Sequence, residues 1–489
     1  MESFRVTVAF LLAIFGAVGG AAQDVVLEGT ITGADHETYI SQPFTVPEDV
    51  SSVTIAFEYD RSNRTVIDLG VADPHGIRGW SGGNKASFTI GESEATPSYI
   101  PGPIAEGTWL LILGVPNIRN GVASNWKAEI TFRRKENMAE GFTQAPLRTA
   151  ARWYRGDLHS HTAHSDGSCD TQSGQHAPCP LYRSVQTAAE RSLDFVAITE
   201  HNATSHFAEM RALQPSYDEL LLLPGREITT FFGHANLFGS TEKLDFRVGS
   251  DAMADTNTLL EAAHRIGGVV SVNHPSLPSG EICMGCGWTA ENTDWHLVTA
   301  IEVVNGGAVA AANGIVESPL SGIPFWHARL NEGYRLTAIG GSDNHDALLA
   351  GDDPRAIGGI VTAIWAENLS VPALLEGLRQ GRAFVDVTGS IERSLNFEAQ
   401  IDEATVPMGS KVTLARPGHI DFRVALEACD ECLIEVVQNG GSVPDVEGTA
   451  REFAVPVQMG WEWIRINVRD RQGQLLMIGN PIYFEISSS

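Results

Sequence analysis

Nine side chains in this sequence are of the types, and at the spacings, that hold divalent cations. Asp157-Leu158-His159-Ser160-His161 sets two imidazoles two residues apart, and Ser165-Asp166-Gly167 follows closely. Glu200-His201, Gly225-Arg226-Glu227-Ile228-Thr229, Gly233-His234-Ala235-Asn236, Asn273-His274-Pro275 and Ser342-Asp343-Asn344-His345 complete the series. A lone histidine is ordinarily a hydrogen-bonded structural residue, and a lone Asp or Glu at an element's end is ordinarily a cap. Six histidines with three carboxylates at successive strand ends are different, because gathering ionisable groups costs free energy unless a cation or substrate compensates. The reading is a multinuclear metal site. Imidazole and carboxylate donors suit Zn, Mn or Fe and do not choose between them.

Short apolar runs alternating with amphipathic helices must position these donors. Strand candidates are 156–161, 195–201, 220–229, 269–274, Ala300–Asn305, 336–343 and 358–366. Residues two apart on a strand share a face, so His159 and His161 are expected to project together. Helix candidates are 180–193, 257–266 and 371–380, the last capped by Ser370 at its start and Gly381 at its end. Such alternation implies an α/β domain over residues 150–390 with a parallel sheet, and seven or so strands favour a barrel over an open sheet. Residues 24–135 alternate apolar and polar with turn residues at strand spacing, as expected of a β-sandwich or jelly roll. Trp80 in that region could stack on sugar, although packing is the commoner role for such a residue. Residues 133–137 read as a linker. Residues 395–489 return to strand pattern and read as a second, small β-sandwich, with Asp470-Arg471-Gln472-Gly473 as a hairpin turn.

The 489 residues carry 33 Lys and Arg against 60 Asp and Glu, a formal charge of −27. Length suggests two to four domains, and 43% apolar with 19% charged residues excludes wholesale disorder. The negative charge argues against nucleic-acid and anionic-membrane partners, which require a basic face. Residues 1–22 pair a short start containing Arg5 with an apolar run and the small residues Gly19 to Ala22, the pattern of a secretory signal peptide. That apolar run is short for a membrane span, and no later stretch reaches the necessary length. A secreted or periplasmic location is expected. The six cysteines form three local pairs, Cys169 with Cys179, Cys283 with Cys286 and Cys429 with Cys432. An even count in an exported chain reads as disulfides, and the two C-x-x-C pairs lie too far apart for a zinc ribbon.

The ordered series HSH, SDG, TEH, GREIT, GHAN, NHP and GSDNH resembles the PHP (polymerase and histidinol phosphatase) family of metal-dependent hydrolases, in particular its CehA/McbA-like branch. The resemblance covers residues 150–390 and implies a distorted (β/α)7 barrel flanked by β domains. It also implies two to three divalent ions. His159, His161 and Asp343 would hold the first, with Glu227 bridging to a second held by His234 and His274. Asp166, His201 and His345 would hold the third. Glu227, Asp343 and His345 would carry the catalytic work around a metal-bridging hydroxide. Glu200 departs from the family, which more often has Asp before this histidine, and is expected to orient a ligand. Glu302 and Asn305 are weaker candidates for the same task. His164, His176, His206, His264, His296 and His327 match no family ligand and are read as structural.

Three carboxylates against three divalent cations leave such a site cationic inside an acidic protein, so a compact anionic small molecule is the expected substrate. The leading expectation is a phosphomonoester or phosphodiester, with Arg226 and Arg329 as possible phosphate anchors. A neutral carbamate, ester or amide is the second, and a non-catalytic exported metal-binding protein the third. The one G-x-S-x-G, Gly79-Trp80-Ser81-Gly82-Gly83, falls in the β-patterned region and not at a strand-to-helix turn, so no serine nucleophile is called for.

Overall fold

The computed structural model describes residues 25–92, 94–134, 142, 145–280, 283, 285–444 and 448–486. The expected signal peptide and most of the expected linker lie outside the described residues. The chain divides into two compact units, Met1–Met138 and Ala139–Ser489.

In the first unit two four-stranded antiparallel sheets share one apolar core. One runs Val25–Thr32, Ala123–Arg134, Val50–Tyr59 and Ser87–Gly91, and the other Tyr39–Val46, Gly107–Asn117, Val66–Asp73 and Gly76–Gly82. Alternation explains the arrangement, since every second residue faces inward except where bulges interrupt Val50–Tyr59, Val66–Asp73 and Gly76–Gly82. Ile55, Leu111, Leu113, Ala128 and Ile130 are wholly buried, as is Trp109, whose indole N–H reaches the Ala105 carbonyl at 2.8 Å.

The second unit is strand-rich, with only six short α-helices among the described residues. Its largest sheet begins with Thr337–Gly341, Ala300–Asn305 and Val269–Val272, which run parallel. Gly233–Phe238 lies antiparallel to Val269–Val272 and to Leu221–Thr230, after which Phe195–Ile198 and Arg152–Asp157 continue in parallel. Phe195–Ile198, Val269–Val272 and Ala300–Asn305 are buried throughout, which is why they read as continuous apolar runs. Helices Leu181–Glu190, Thr256–Arg265 and Val371–Arg379 bury one face each, and Asp255 and Ser370 cap the last two by accepting from Thr258 N and Ala373 N.

The mixed α/β character matches the sequence pattern, but a closed ring of seven β/α units is not what the ladder displays. The Leu221–Thr230 and Gly233–Phe238 strands form a hairpin with no intervening helix. The sheet also runs on past Arg152–Asp157 through Val361–Ala366, Ala383–Asp386, Leu475–Gly479 and Gly460–Arg469, all antiparallel. One parallel bridge, Ser160 with Asn344, joins the segments that follow Arg152–Asp157 and Thr337–Gly341. A further four-stranded sheet, Ala404–Pro407, Ser394–Ile401, Gly418–Glu427 and Glu452–Val457, packs Phe397, Phe422 and Val424 against Phe384, Ile464 and Met477 of the large sheet.

The three cysteine pairs are disulfides, with Cα separations of 4.9, 5.6 and 5.3 Å. No described helix is long and apolar enough to cross a membrane.

Helix Ile323–Asn331 docks on the strand Gly460–Arg469 through polar contacts. Trp461 and Trp463 donate to Leu330 O and Asn331 Oδ1 at 2.8 Å each, and Arg465 Nε donates to His327 Nε2 at 3.1 Å. Burial, and then the Arg465 charge, push His327 down to about 3. Burial also pushes His206 down to about 3, partly opposed by its bond to the Gly225 carbonyl. Both rings are therefore neutral when folded, while the unfolded chain takes up protons below about pH 6.5. Their stabilising contribution is complete above that value and is lost as pH falls toward 3, by up to about 1.4 kcal/mol per pH unit for each ring. Between pH 7 and pH 5 the urea midpoint of metal-free His327→Gln, which still accepts from Arg465 but cannot titrate, should fall less, or rise more, than that of the wild type.

Candidate metal centre

The donors hang from a frame built on Asp157, the last residue of the Arg152–Asp157 strand. Its fully buried carboxylate accepts from the backbone N–H groups of His159 (3.2 Å), Ser342 (3.0 Å) and Gly358 (2.9 Å). One side chain thereby ties the segment bearing His159 and His161 to the segment bearing Asp343. The strand ends earlier than the sequence pattern suggests, so both histidines lie beyond it, and His161 N donates to Asn344 O at 2.8 Å. Gly341 permits this closeness, because a Cβ there would sit 2.6 Å from His159 Cβ. His274 and Asp343 both have left-handed backbones, at φ 27° and 53°. Such conformations cost about 1 kcal/mol or more and persist where surrounding contacts over-determine them.

All nine residues named from sequence come together. Glu227 is central, with ring nitrogens of His201 at 2.8 Å, His234 at 3.3 Å, His274 at 3.4 Å, and His159 and His161 at 3.5 Å. Asp343 Oδ1 lies 3.3 Å from His159 Nε2 and 3.2 Å from His161 Nε2. Toward solvent, Asp166 stands 3.4 Å from His345 Nε2 and 3.7 Å from His201 Nε2. His159, His161, Glu227, His234 and His274 are buried, whereas the Asp166 and His345 side chains are 56% and 40% exposed. The centre thus has a closed inner part and an open outer part.

Donor atoms close enough to share one ion form overlapping groups. These are His161 with Asp166, His201 and His345; His159 with His161 and Glu227; His159 with His274 and Asp343; and His201 with Glu227 and His234. The family resemblance divides His159 and His274 between two ions, while this geometry also allows them one. His234 and His274 lie near the Cys286 sulfur too, but the disulfide to Cys283 removes it as a donor.

Further residues orient these rings. Glu302, fully enclosed, accepts from His159 Nδ1 at 3.0 Å, His274 N at 2.9 Å and Asn305 Nδ2 at 3.0 Å. Fixing the His159 proton on Nδ1 leaves Nε2 free as an electron-pair donor. Asn305 meanwhile caps helix Gly306–Ala311 by accepting from Ala308 N at 2.9 Å. Glu200 takes the Thr162 and Ser165 hydroxyls and Thr162 N, and Ser165 Oγ lies 3.5 Å from His161 Nδ1. Asn273 Nδ2 donates to Glu227 Oε1 at 2.8 Å, and Thr229 Oγ1 holds His201 Nδ1 at 2.6 Å. Sequence reasoning passed over Asp157, Asn273 and Thr229. Asp157 shares the two-residue alternation that picked out His159 and His161, so a signal for it was present.

Two arginines considered as phosphate anchors are engaged elsewhere. Arg226 donates to the Glu242 carbonyl at 2.7 Å, and Arg329 pairs with Glu332 at 2.8 Å beside the Trp295 and Phe325 rings. His164 bonds Ser205 and Glu209 and belongs to none of the donor groups.

Do these residues fit a cation? Buried His159 Nε2, His161 Nε2 and Glu227 Oε2 have no hydrogen-bond partner, although they lie close to one another. The short approaches to Asp343 and His201 lack bonding geometry. Leaving a buried polar atom unsatisfied costs about 1–3 kcal/mol, so three at one place call for an electrophile between them. The titration pattern agrees. Burial would push Glu227 up and His159 down, but their mutual attraction and the neighbouring charges outweigh it, holding Glu227 well below and His159 well above their usual ranges. Burial is also outweighed at His345, which the Asp166 hydrogen bond and the Asp343 charge lift to about 9. At His161 burial wins and pushes the ring down to about 4. The carboxylates stay charged, and protons occupy the places that cations would fill.

No protein-family model matches the sequence, and no curated protein does. Among solved structures, a crystal structure from Bacteroides vulgatus is similar, described as a two-domain protein containing a predicted PHP-like metal-dependent phosphoesterase. It is 15% identical, with a TM-score of 0.37 over 70% of this chain and 100% of that one. A likeness this weak bears no weight on function.

Two outcomes are expected. Metal binding must displace protons from the raised histidines, so apparent affinity should increase with pH between 6 and 9, about tenfold per unit for each proton released. Competition with a chromophoric chelator at several pH values reads this directly. Glu302→Gln, which retains shape but loses one acceptor oxygen and the charge behind His159, should weaken metal binding about 10–100-fold and also lower the melting temperature of the metal-free protein.

Proposed function

We propose that the Ala139–Ser489 unit is a metal-dependent hydrolase that cleaves a small phosphoester, mono- or diester, in an exported protein. The observation that carries this is the convergence of buried, unpartnered His159 Nε2, His161 Nε2 and Glu227 Oε2 at one point. In this reading the sheet up to Arg152–Asp157 is a distorted (β/α)7 barrel, a view supported by the Ser160–Asn344 bridge between the segments that follow its first and seventh strands. The disulfides support export.

His159, His161 and Asp343 would hold one ion, Glu227, His234 and His274 a second, and Asp166, His201 and His345 a third. Zn, Mn or Fe, when bound, would supply a water-derived nucleophile at neutral pH and stabilise charge on the leaving oxygen. The chain's own part is positional. Glu227 spans the inner groups, Glu302 fixes the His159 tautomer, and Asp343 joins the inner and outer parts through its approaches to His161 and His345. His345 and Asp166, the most exposed donors, stand where substrate enters. Counting Glu302, four carboxylates face six positive charges, and the loaded site stays attractive to an anion.

A second reading, hydrolysis of a neutral ester, carbamate or amide, has its own support. Arg226 and Arg329 do not serve as phosphate grips, and Phe231 and Phe232, 79% and 42% exposed, form the turn just before Gly233-His234. The test is metal content beside hydrolysis of bis-p-nitrophenyl phosphate, p-nitrophenyl phosphate and p-nitrophenyl acetate. Two to three ions per chain are expected, with phosphoester cleavage lost on chelation and in the His159→Ala/His161→Ala variant. Metal-dependent cleavage of the acetate alone would establish the second reading. Chelation should also strip one equivalent before the others, because Asp166 and His345 are open to solvent. Activity that survives complete metal removal would overturn both readings.

A further inference from the structure

The first unit carries an aromatic surface that neither its core nor the metal centre uses. Trp80 leaves the edge strand Gly76–Gly82 on the outer face of its sheet and remains 38% exposed. Its ring lies across the neighbouring strands because each presents a glycine where it passes. A Cβ at Gly70 would sit 2.4 Å from Trp80 Cε3, and one at Gly114 would sit 2.7 Å from Cη2. Glycine inside a strand gives up packing and chain entropy, and is kept where something must approach the backbone closely. Here that something is one face of an indole, which leaves the other face toward water. At the far end Tyr39, 76% exposed and paired with Gly114, meets Trp80 edge-on with ring centroids 5.7 Å apart. Asp68 also stands opposite Gly114, on the outward row it shares with Gly70, with Oδ1 3.8 Å from the Cβ position of Gly82.

The surroundings narrow the ligand. A nucleotide or other anionic ligand would want a cation beside the ring, but the chain's charge is −27. Arg78, the one basic residue of the Gly76–Gly82 strand, is turned inward, where it binds Asp73 and the Ile100, Gly102 and Pro103 carbonyls. A docked protein would need about 800 Å² from each partner, far more than one indole and one phenol offer. What fits a single flat ring bordered by a carboxylate acceptor is a molecule with an apolar C–H face and hydroxyl edges. We propose that Trp80, Tyr39 and Asp68 form a binding platform for a pyranose unit of a neutral polysaccharide. The sugar's C–H face stacks on the indole, and a hydroxyl donates to Asp68. This inference is independent of the hydrolase reading.

Native affinity electrophoresis of the full chain tests it, in gels containing hydroxyethylcellulose, laminarin, xylan, galactomannan or soluble starch. At least one polymer is expected to retard the protein. Trp80→Ala should weaken that binding about tenfold or more, Trp80→Phe should retain part of it, and metal content should not change. Tyr39→Ala, a change at a largely exposed side chain, guards against misfolding of the Trp80 variants and should weaken binding by a smaller factor. Absence of retardation by every polymer overturns the proposal, as does retardation that Trp80→Ala leaves intact. Sedimentation of the same proteins covers a second copy of this chain as the occupant. Self-association lost in Trp80→Ala, without polysaccharide binding, likewise overturns it.

Discussion

One carboxylate sets the terms for the second unit. Glu227 is fully buried and has ring nitrogens of five histidines within 3.5 Å. An ionised carboxylate in that position is tolerable only with positive charge around it. The histidines can supply the charge as protons or present it as ligated cations, and much else follows from providing one or the other. Strands must end together so that their last residues face one another. The connecting segments must then be held tightly enough that the rings do not relax apart.

The holding is done by side chains that never need to meet a ligand. Asp157 gathers three backbone N–H groups from three separate segments, and Glu302 links His159 to the backbone of His274. Asn305 serves twice, capping a helix with its oxygen and bracing Glu302 with its nitrogen. A shift in any of these elements would be felt at the donor atoms, which explains how left-handed backbone at His274 and Asp343 is sustained. The cost is local and the compensation is distributed over the frame.

The donor residues were legible because chemistry at strand ends leaves a local mark, a polar motif at the close of an apolar run. His159, His201, Glu227, His274 and Asp343 all carry that mark. Element types were legible where periodicity was strong, as at Ala300–Asn305, whose bounds match, and at Val371–Arg379 with its Ser370 cap. Sheet continuity was not. Nothing local in Ala383–Asp386 says that it pairs with Leu475–Gly479, since pairing at such separation leaves no periodic trace. The Gly233–Phe238 strand was read only as a motif, because six buried residues in a row look alike in a strand or a helix. Helices His206–Leu213 and Ile323–Asn331 went unseen because neither has a clean apolar stripe. Trp80 was visible as a residue, but its orientation depends on glycines in two other strands.

The late-arriving strand has a consequence for how the molecule is made. Ala383–Asp386 takes its outer hydrogen-bonding partner from Leu475–Gly479, and the large sheet runs on through Gly460–Arg469. During synthesis from the N-terminus, roughly ninety residues must emerge before that edge is covered. At a rate of about 5–20 residues per second, the edge stays open for several seconds or more. Through that interval the growing chain presents an unpaired strand, the surface on which chaperones and aggregates both act.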